Sequence, residues 1–194
     1  MLRLKMPSEP KWAELAKNNL KEAMIDHAFC EQKAASSAIS LIVTYPEYSE
    51  LVEKLSAVAI EEMEHFRMVH EKILARGWTL GKERRDEYVN GLSRFFKGTK
   101  DRKVRLVQRL LFSAMIEARS CERFRVLAKS VDDNELADFY NMLVKSEAEH
   151  YTMFIGFAKK YGEGLVDVDA LWEKYLVFEA ELIQNYNSTP EIHG

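Results

Sequence analysis

Cysteine is scarce in this 194-residue chain: Cys30 and Cys121 stand far apart and form no CxxC pair. Their number and spacing exclude a rubredoxin-type iron site and a disulfide framework, leaving two buried thiols as the expectation. Long hydrophobic runs are missing too. Residues 1–12 hold no apolar stretch of signal-peptide character, and charges recur too regularly to leave about 20 apolar residues for a membrane span. A cytoplasmic protein with no membrane partner is therefore expected. Nor is there an excess of positive charge, since a net charge of -3 predicts no general affinity for nucleic acid, although an average can conceal a local patch.

What is present is an ordinary globular composition, 47% hydrophobic and 30% charged, in a length suited to one domain over residues 1–194. Helical periodicity runs through it. A first helix is expected over 9–44, opening at Ser8-Glu9-Pro10 with a cap-like serine and a proline in the first turn, and ending at Tyr45-Pro46-Glu47. The others are expected over 47–76, 101–130, 133–161 and 167–186, with Gly77 closing the second and Asp132-Asp133-Asn134 capping the fourth. The fifth carries Leu171, Tyr175, Phe178 and Leu182 as its apolar stripe. Helices of roughly 30 residues are rods of about 45 Å, a length typical of bundles. Between the second and third lies a glycine-dotted stretch, 77–100, with only a short helix near Asp86 to Phe96. A connection of that length needs a reason. An all-α, ferritin-like four-helix bundle supplies one, because it needs a single long crossover between helices 2 and 3; the fifth helix is then an addition at the C-terminal end.

Polar residues interrupt the apolar stripes at matched positions. Glu62 and His65, three apart, share a helix face and continue the stripe of Leu51, Leu55, Val58, Val69 and Ile73. An unpaired charge there is costly. Glu147 and His150 repeat the pattern among Leu136, Tyr140, Leu143, Phe154 and Phe157. The helix preceding each pair carries one glutamate in its own stripe, Glu31 and Glu117. Glu31 to Glu62 is 31 residues, Glu117 to Glu147 is 30, and the two histidines are 85 apart, so the chain reads as two copies of a helix pair. Two-fold packing of the copies would gather four carboxylates and two imidazoles, the ligand set of ferritin-like di-iron and di-manganese proteins.

A single E-x-x-H is common by chance, and a buried Glu and His can satisfy each other. Six matched positions are not explained by a metal-free polar core. Glu61, Glu64 and Glu149 fall off the stripes as solvated charges, and His70 and His193 lack a carboxylate three positions earlier and read as surface residues. His27, one turn before Glu31, either orients that carboxylate from behind or is a hydrogen-bonded core histidine. Cys121, one turn after Glu117, either lines the cavity or packs as a small apolar residue. Oxygen and nitrogen donors exclude a soft copper or iron–sulfur centre without separating iron from manganese or zinc; the bundle and ligand count favour two irons. The ligands alone do not say whether such a centre oxidises iron, peroxide or an organic substrate.

Four blocks carry more: Ile25-Asp26-His27-Ala28-Phe29-Cys30-Glu31-Gln32-Lys33-Ala34-Ala35, Glu61-Glu62-Met63-Glu64-His65-Phe66, Ile116-Glu117-Ala118-Arg119-Ser120-Cys121-Glu122-Arg123-Phe124 and Ser146-Glu147-Ala148-Glu149-His150-Tyr151. Together they closely resemble the MiaE family, the bacterial tRNA hydroxylases acting on 2-methylthio-isopentenyl-adenosine. The E-A-R-S-C-E-R-F block is the most specific, and the resemblance spans about residues 12–160. Glu149, where the family pattern has arginine, and Phe29, in place of a small polar residue, are departures that bear on substrate approach rather than on a ligand. The resemblance implies oxygen-dependent hydroxylation of the isopentenyl side chain on the modified adenosine beside the anticodon. Glu31, Glu62, His65, Glu117, Glu147 and His150 would hold two iron ions, with dioxygen as co-substrate and its second oxygen atom leaving as water. An external two-electron donor is implied, and the lack of a second redox motif agrees with a separate ferredoxin and reductase.

The implied partner is the tRNA anticodon stem-loop, and the chain has one stretch of matching charge. Residues 82–105 hold nine basic and four acidic residues, a net +5, which leaves the remainder at -8. Arg84, Arg85, Arg94, Lys97, Lys100, Arg102 and Lys103 are the candidate RNA contacts, with Tyr88, Phe95 and Phe96 interleaved either to stack on bases or to anchor the crossover. Two other readings compete. A rubrerythrin-like or ferritin-like peroxidase or ferroxidase would use the same ligands, against the missing CxxC pair and the basic crossover. A metal-free helical interaction module would bind no iron at all.

Overall fold

The computed structural model describes residues 2–8, 10–82, 86–96, 98–186, 190 and 192, and all regular structure among them is helical. The helices are α1 (Pro10–Asn18), α2 (Leu20–Thr44), α3 (Ser49–Ala75), α4 (Glu87–Ser93), α5 (Arg102–Ser130), α6 (Asn134–Gly162) and α7 (Val168–Tyr186). They fall into two compact units, one of Asn19–Arg85 and one of Met1–Asn18 with Asp86–Gly194.

The first unit is the α2–α3 pair. Pro46 cannot continue a helix, and the chain reverses over Tyr45–Tyr48 with the Tyr45 amide donating to the Leu41 carbonyl at 2.9 Å. The α3 stripe expected from spacing, Leu51, Leu55, Val58, Glu62, His65, Val69 and Ile73, is buried throughout. Gly77 ends α3 in a Schellman turn: its φ is +71°, its amide donates to Leu74 O at 2.9 Å, and the Trp78 amide donates to Ile73 O at 3.1 Å.

In the other unit α5 and α6 lie side by side along their length, α1 packs on α5, and α7 rests against α4, α5 and α6. Aspartates open four of its helices, Asp167 accepting from the Ala170 amide at the start of α7. Asp86 accepts from the Val89 amide, Asp101 from the Lys103 and Val104 amides, and Asp133 from the Leu136 amide, each satisfying donors that the first helical turn leaves open. The buried face of α6 is the expected one, Leu136, Tyr140, Leu143, Glu147, His150, Phe154 and Phe157.

Three details depart from expectation. The first helix is two: α1 ends at Asn18, and Asn19, at φ -122° and ψ 45°, begins α2 by accepting from the Ala23 amide. Two consecutive asparagines, poor in helix interiors and good at caps, make the break without proline or glycine. Ser8 does not cap α1, because its amide and hydroxyl both donate to Glu122 on α5. The buried face of α7 is Trp172, Tyr175, Leu176, Glu179 and Ile183, whereas Leu171, Phe178 and Leu182 are half-buried. A hydrophobic stripe passes over Glu179, which is buried because a cation meets it there.

Candidate metal centre

Each long helix pair contributes a carboxylate from one helix and an E-x-x-H from the next. In the α2–α3 unit, Glu31, Glu62 and His65 each offer a ligand atom within 4.8 Å of the others. His65 Nδ1 lies 3.3 Å from Glu62 Oε2 and 3.9 Å from Glu31 Oε2. One turn of α2 before Glu31, His27 is fully buried and its Nε2 sits 2.6 Å from Glu31 Oε1, which fixes the carboxylate from behind. Glu61 and Glu64 are exposed; Glu61 reaches only to 4.0 Å from His65 Nε2, and Glu64 pairs with Arg67 at 2.7 Å.

In the α5–α6 pair, Glu117, Glu147 and His150 form a second triad whose ligand atoms likewise lie within 4.8 Å of one another. None of these six residues is more than 5% exposed. Each triad therefore sets two carboxylates and an imidazole away from water, where like charges at this spacing repel and a cation relieves them. Hard oxygen donors with imidazole nitrogen fit iron or manganese and not a thiolate-seeking metal. Cys121 is buried and its thiol lies 3.3 Å from the Val144 carbonyl, so it ties α5 to α6, and burial pushes the thiol pKa up. Cys30 is the other buried thiol, 3.6 Å from Asp26 Oδ2.

The remaining predicted positions divide. Arg94, Lys100, Arg102 and Lys103 are exposed, while Arg84, Arg85, Lys97 and His193 lie outside the described residues. His70 is half-buried rather than on the surface, stacked on Phe66 at 6.0 Å because the two rings are one turn apart. Of the crossover aromatics, Tyr88 is fully buried with its hydroxyl on Glu179, and Phe95 stacks on Tyr175 at 4.7 Å. These two anchor the crossover to α7, and Tyr88, being fully buried, is not available to stack on a base.

Spacing did not single out Arg119 and Arg123. Both are fully buried on the side of the E-A-R-S-C-E-R-F block away from Glu117. Arg119 binds Glu179, Glu122 and the Met6 carbonyl, and Arg123 binds Ser8, the Ile192 carbonyl and the face of Trp12. Two arginines four apart, on one face of a helix, were the available signal.

A solved structure, "Protein 43 with aldehyde deformylating oxygenase activity from Synechococcus", superposes with a TM-score of 0.85, covering 98% of this chain and 95% of that one at 30% identity. The fold is all-α and ferritin-like, two long helix pairs separated by a crossover that carries α4, with α7 added. The tRNA 2-(methylsulfanyl)-N(6)-isopentenyladenosine(37) hydroxylase of Pseudomonas putida is 37% identical over 97% of this chain and 90% of its own length. The enzyme of the same name from Salmonella typhimurium is 27% identical over 93% of this chain and 83% of its own. The family model described as "tRNA-(MS[2]IO[6]A)-hydroxylase (MiaE)" matches residues 2–194, and the chain belongs to the MiaE family of tRNA-modifying enzymes.

Proposed function

We propose that this enzyme hydroxylates the isopentenyl side chain of 2-methylthio-isopentenyl-adenosine beside the anticodon of tRNA, at a centre of two iron ions held by Glu31, Glu62, His65, Glu117, Glu147 and His150. The observation that carries the metal assignment is the pair of buried triads, each two carboxylates and an imidazole with ligand atoms within 4.8 Å. The substrate assignment rests on family membership and on the two relatives named for this reaction. We read the whole chain as one functional domain.

When bound, two irons would supply the redox chemistry by which dioxygen, two electrons and two protons yield one hydroxyl on carbon and one water. The chain's own residues do the rest. The carboxylates offset the cationic charge in a site closed to bulk water, and His27 holds Glu31 in one orientation through its 2.6 Å contact. A ferredoxin-type donor supplies the electrons, since both cysteines are free thiols and offer no redox pair. Among the described residues no helix is long and apolar enough to cross a membrane. A cytoplasmic site of action follows from tRNA as substrate.

Nucleoside mass spectrometry tests the reading. tRNA carrying the methylthio-isopentenyl nucleoside, treated with iron-loaded protein, reductant and oxygen, is expected to gain one oxygen on that nucleoside. An unchanged nucleoside with consumption of peroxide would instead favour the peroxidase reading.

A further inference from the structure

A groove of about 230 Å³ opens between the end of α4 and the first turns of α5, lined by Ser93, Phe96, Arg105, Gln108, Arg109 and Phe112. The α5 residues recur at i, i+3, i+4 and i+7, the spacing of a face that normally meets another helix. Here that face presents two guanidinium groups, one amide and one phenyl ring. Gln108, Arg109 and Phe112 are half-buried and Arg105 is exposed.

Two parts of the groove are held in place beforehand. Phe96 packs on Tyr175 of α7 with ring centroids 4.7 Å apart, and on Phe95 edge-on at 5.0 Å. Arg105 Nη2 donates to the Thr99 carbonyl at 2.5 Å, which keeps its guanidinium at the rim. The surroundings are basic: Arg94, Lys100, Arg102 and Lys103 are all exposed. Of the nearby acids, Asp86 and Asp101 accept from backbone amides at helix starts, leaving Glu87 as the other acid among the described residues of 86–105.

Resting on the proposed function for its RNA partner, we propose that this groove takes one unpaired nucleotide of the anticodon loop. The base lies against Phe112 and Phe96, Gln108 meets its edge, and Arg105 and Arg109 meet the flanking phosphates. Charge complementarity selects an anionic partner, and the aromatic lining selects one with a free planar face. A paired base has no such face to offer, and single-stranded loops are held in this combination of stacking and phosphate attraction. The groove is smaller than the roughly 300–1,000 Å³ of typical small-molecule sites, a size suited to one ring system.

Fluorescence anisotropy with the full iron-loaded chain tests this, using a labelled anticodon stem-loop RNA and a blunt duplex of the same stem. Phe112→Leu, which keeps apolar bulk but removes the ring, is expected to weaken stem-loop binding about fivefold or more and to leave duplex binding unchanged. The pair Arg105→Gln and Arg109→Gln should lower the slope of log K against log salt by about 1–2. Gln108→Leu serves as a second, milder probe, and matched melting curves and iron content certify each variant as folded. Stem-loop affinity equal to wild type in Phe112→Leu, or an equal loss on both RNAs, overturns the groove. Hydroxylation separates the two readings: if wild type hydroxylates tRNA and Phe112→Leu does so with unaltered kcat/KM, the groove fails while the proposed function stands. If wild type leaves tRNA unchanged, it is the function that fails.

Discussion

Arg119 and Glu179 form a fully buried ion pair across 60 residues of sequence, with Nε and Nη2 both donating to Oε1 at 2.9 and 2.7 Å. Tyr88 adds its hydroxyl to the same oxygen at 2.9 Å, so helices α4, α5 and α7 meet at one carboxylate. Arg119 also reaches Glu122 at 3.0 Å and the Met6 carbonyl at 3.0 Å, which brings the N-terminal segment into the same cluster.

Breaking one side of that pair leaves the other charge buried without compensation. Glu179→Ala and Arg119→Ala are each expected to cost about 3–5 kcal/mol, and replacing both by apolar residues of similar volume should recover most of the loss. Urea denaturation at neutral pH measures this. A single variant as stable as wild type would show that the pair is not an anchor.

Stability should fall in alkali, for a stated reason. Burial, with Glu179 adding its charge, holds the Tyr88 and Tyr175 hydroxyls well above the ordinary tyrosine value of 10.0. A raised pKa means the folded chain keeps a proton that the unfolded chain gives up. The contribution is therefore complete below pH 10 and is lost as pH climbs from there toward the folded values. Each tyrosine adds a slope of about 1.4 kcal/mol per pH unit in that window. Tyr88→Phe should show a shallower decline than wild type between pH 10 and 11; identical slopes would contradict the assignment.

If the proposed centre holds, iron binding should stabilise the folded chain, and the proposed ligands should differ from their exposed neighbours. Chelation is expected to lower the melting temperature, and free iron at about 100 times its Kd corresponds to about 2.7 kcal/mol. Glu62→Ala and Glu147→Ala should abolish that shift, whereas Glu64→Ala and Glu149→Ala should not. His27→Ala should reduce iron affinity about 10–100-fold through the loosened Glu31 carboxylate. Titration calorimetry under anaerobic conditions reads all five.

Two glycines should respond differently to an added methyl. At Gly162 a Cβ would sit 2.5 Å from Val168 Cγ2, and valine's branched side chain has little freedom to withdraw. At Gly91 it would sit 2.8 Å from Leu182 Cδ1, the end of a side chain that can turn away. Gly162→Ala is expected to cost about 1–3 kcal/mol and Gly91→Ala less. Thermal melts of the two variants give the ranking directly.

Much of this was determined by the sequence alone. The matched E-x-x-H pairs, one glutamate on each preceding helix, and aspartates or prolines at helix boundaries are all local signals, readable because 3.6-residue periodicity ties spacing to face. The family likeness was legible in four short blocks, and the helices after the first were placed to within a few residues. Tertiary structure alone decided the rest. That α7 turns Glu179 inward together with Trp172, Tyr175, Leu176 and Ile183, and that Tyr88 and Phe95 anchor the crossover, depends on partners distant in the chain. A charged residue enters the interior only where an opposite charge and hydrogen-bond donors meet it. Residue spacing cannot supply that condition, because Arg119 and Glu179 become neighbours only when the helices pack.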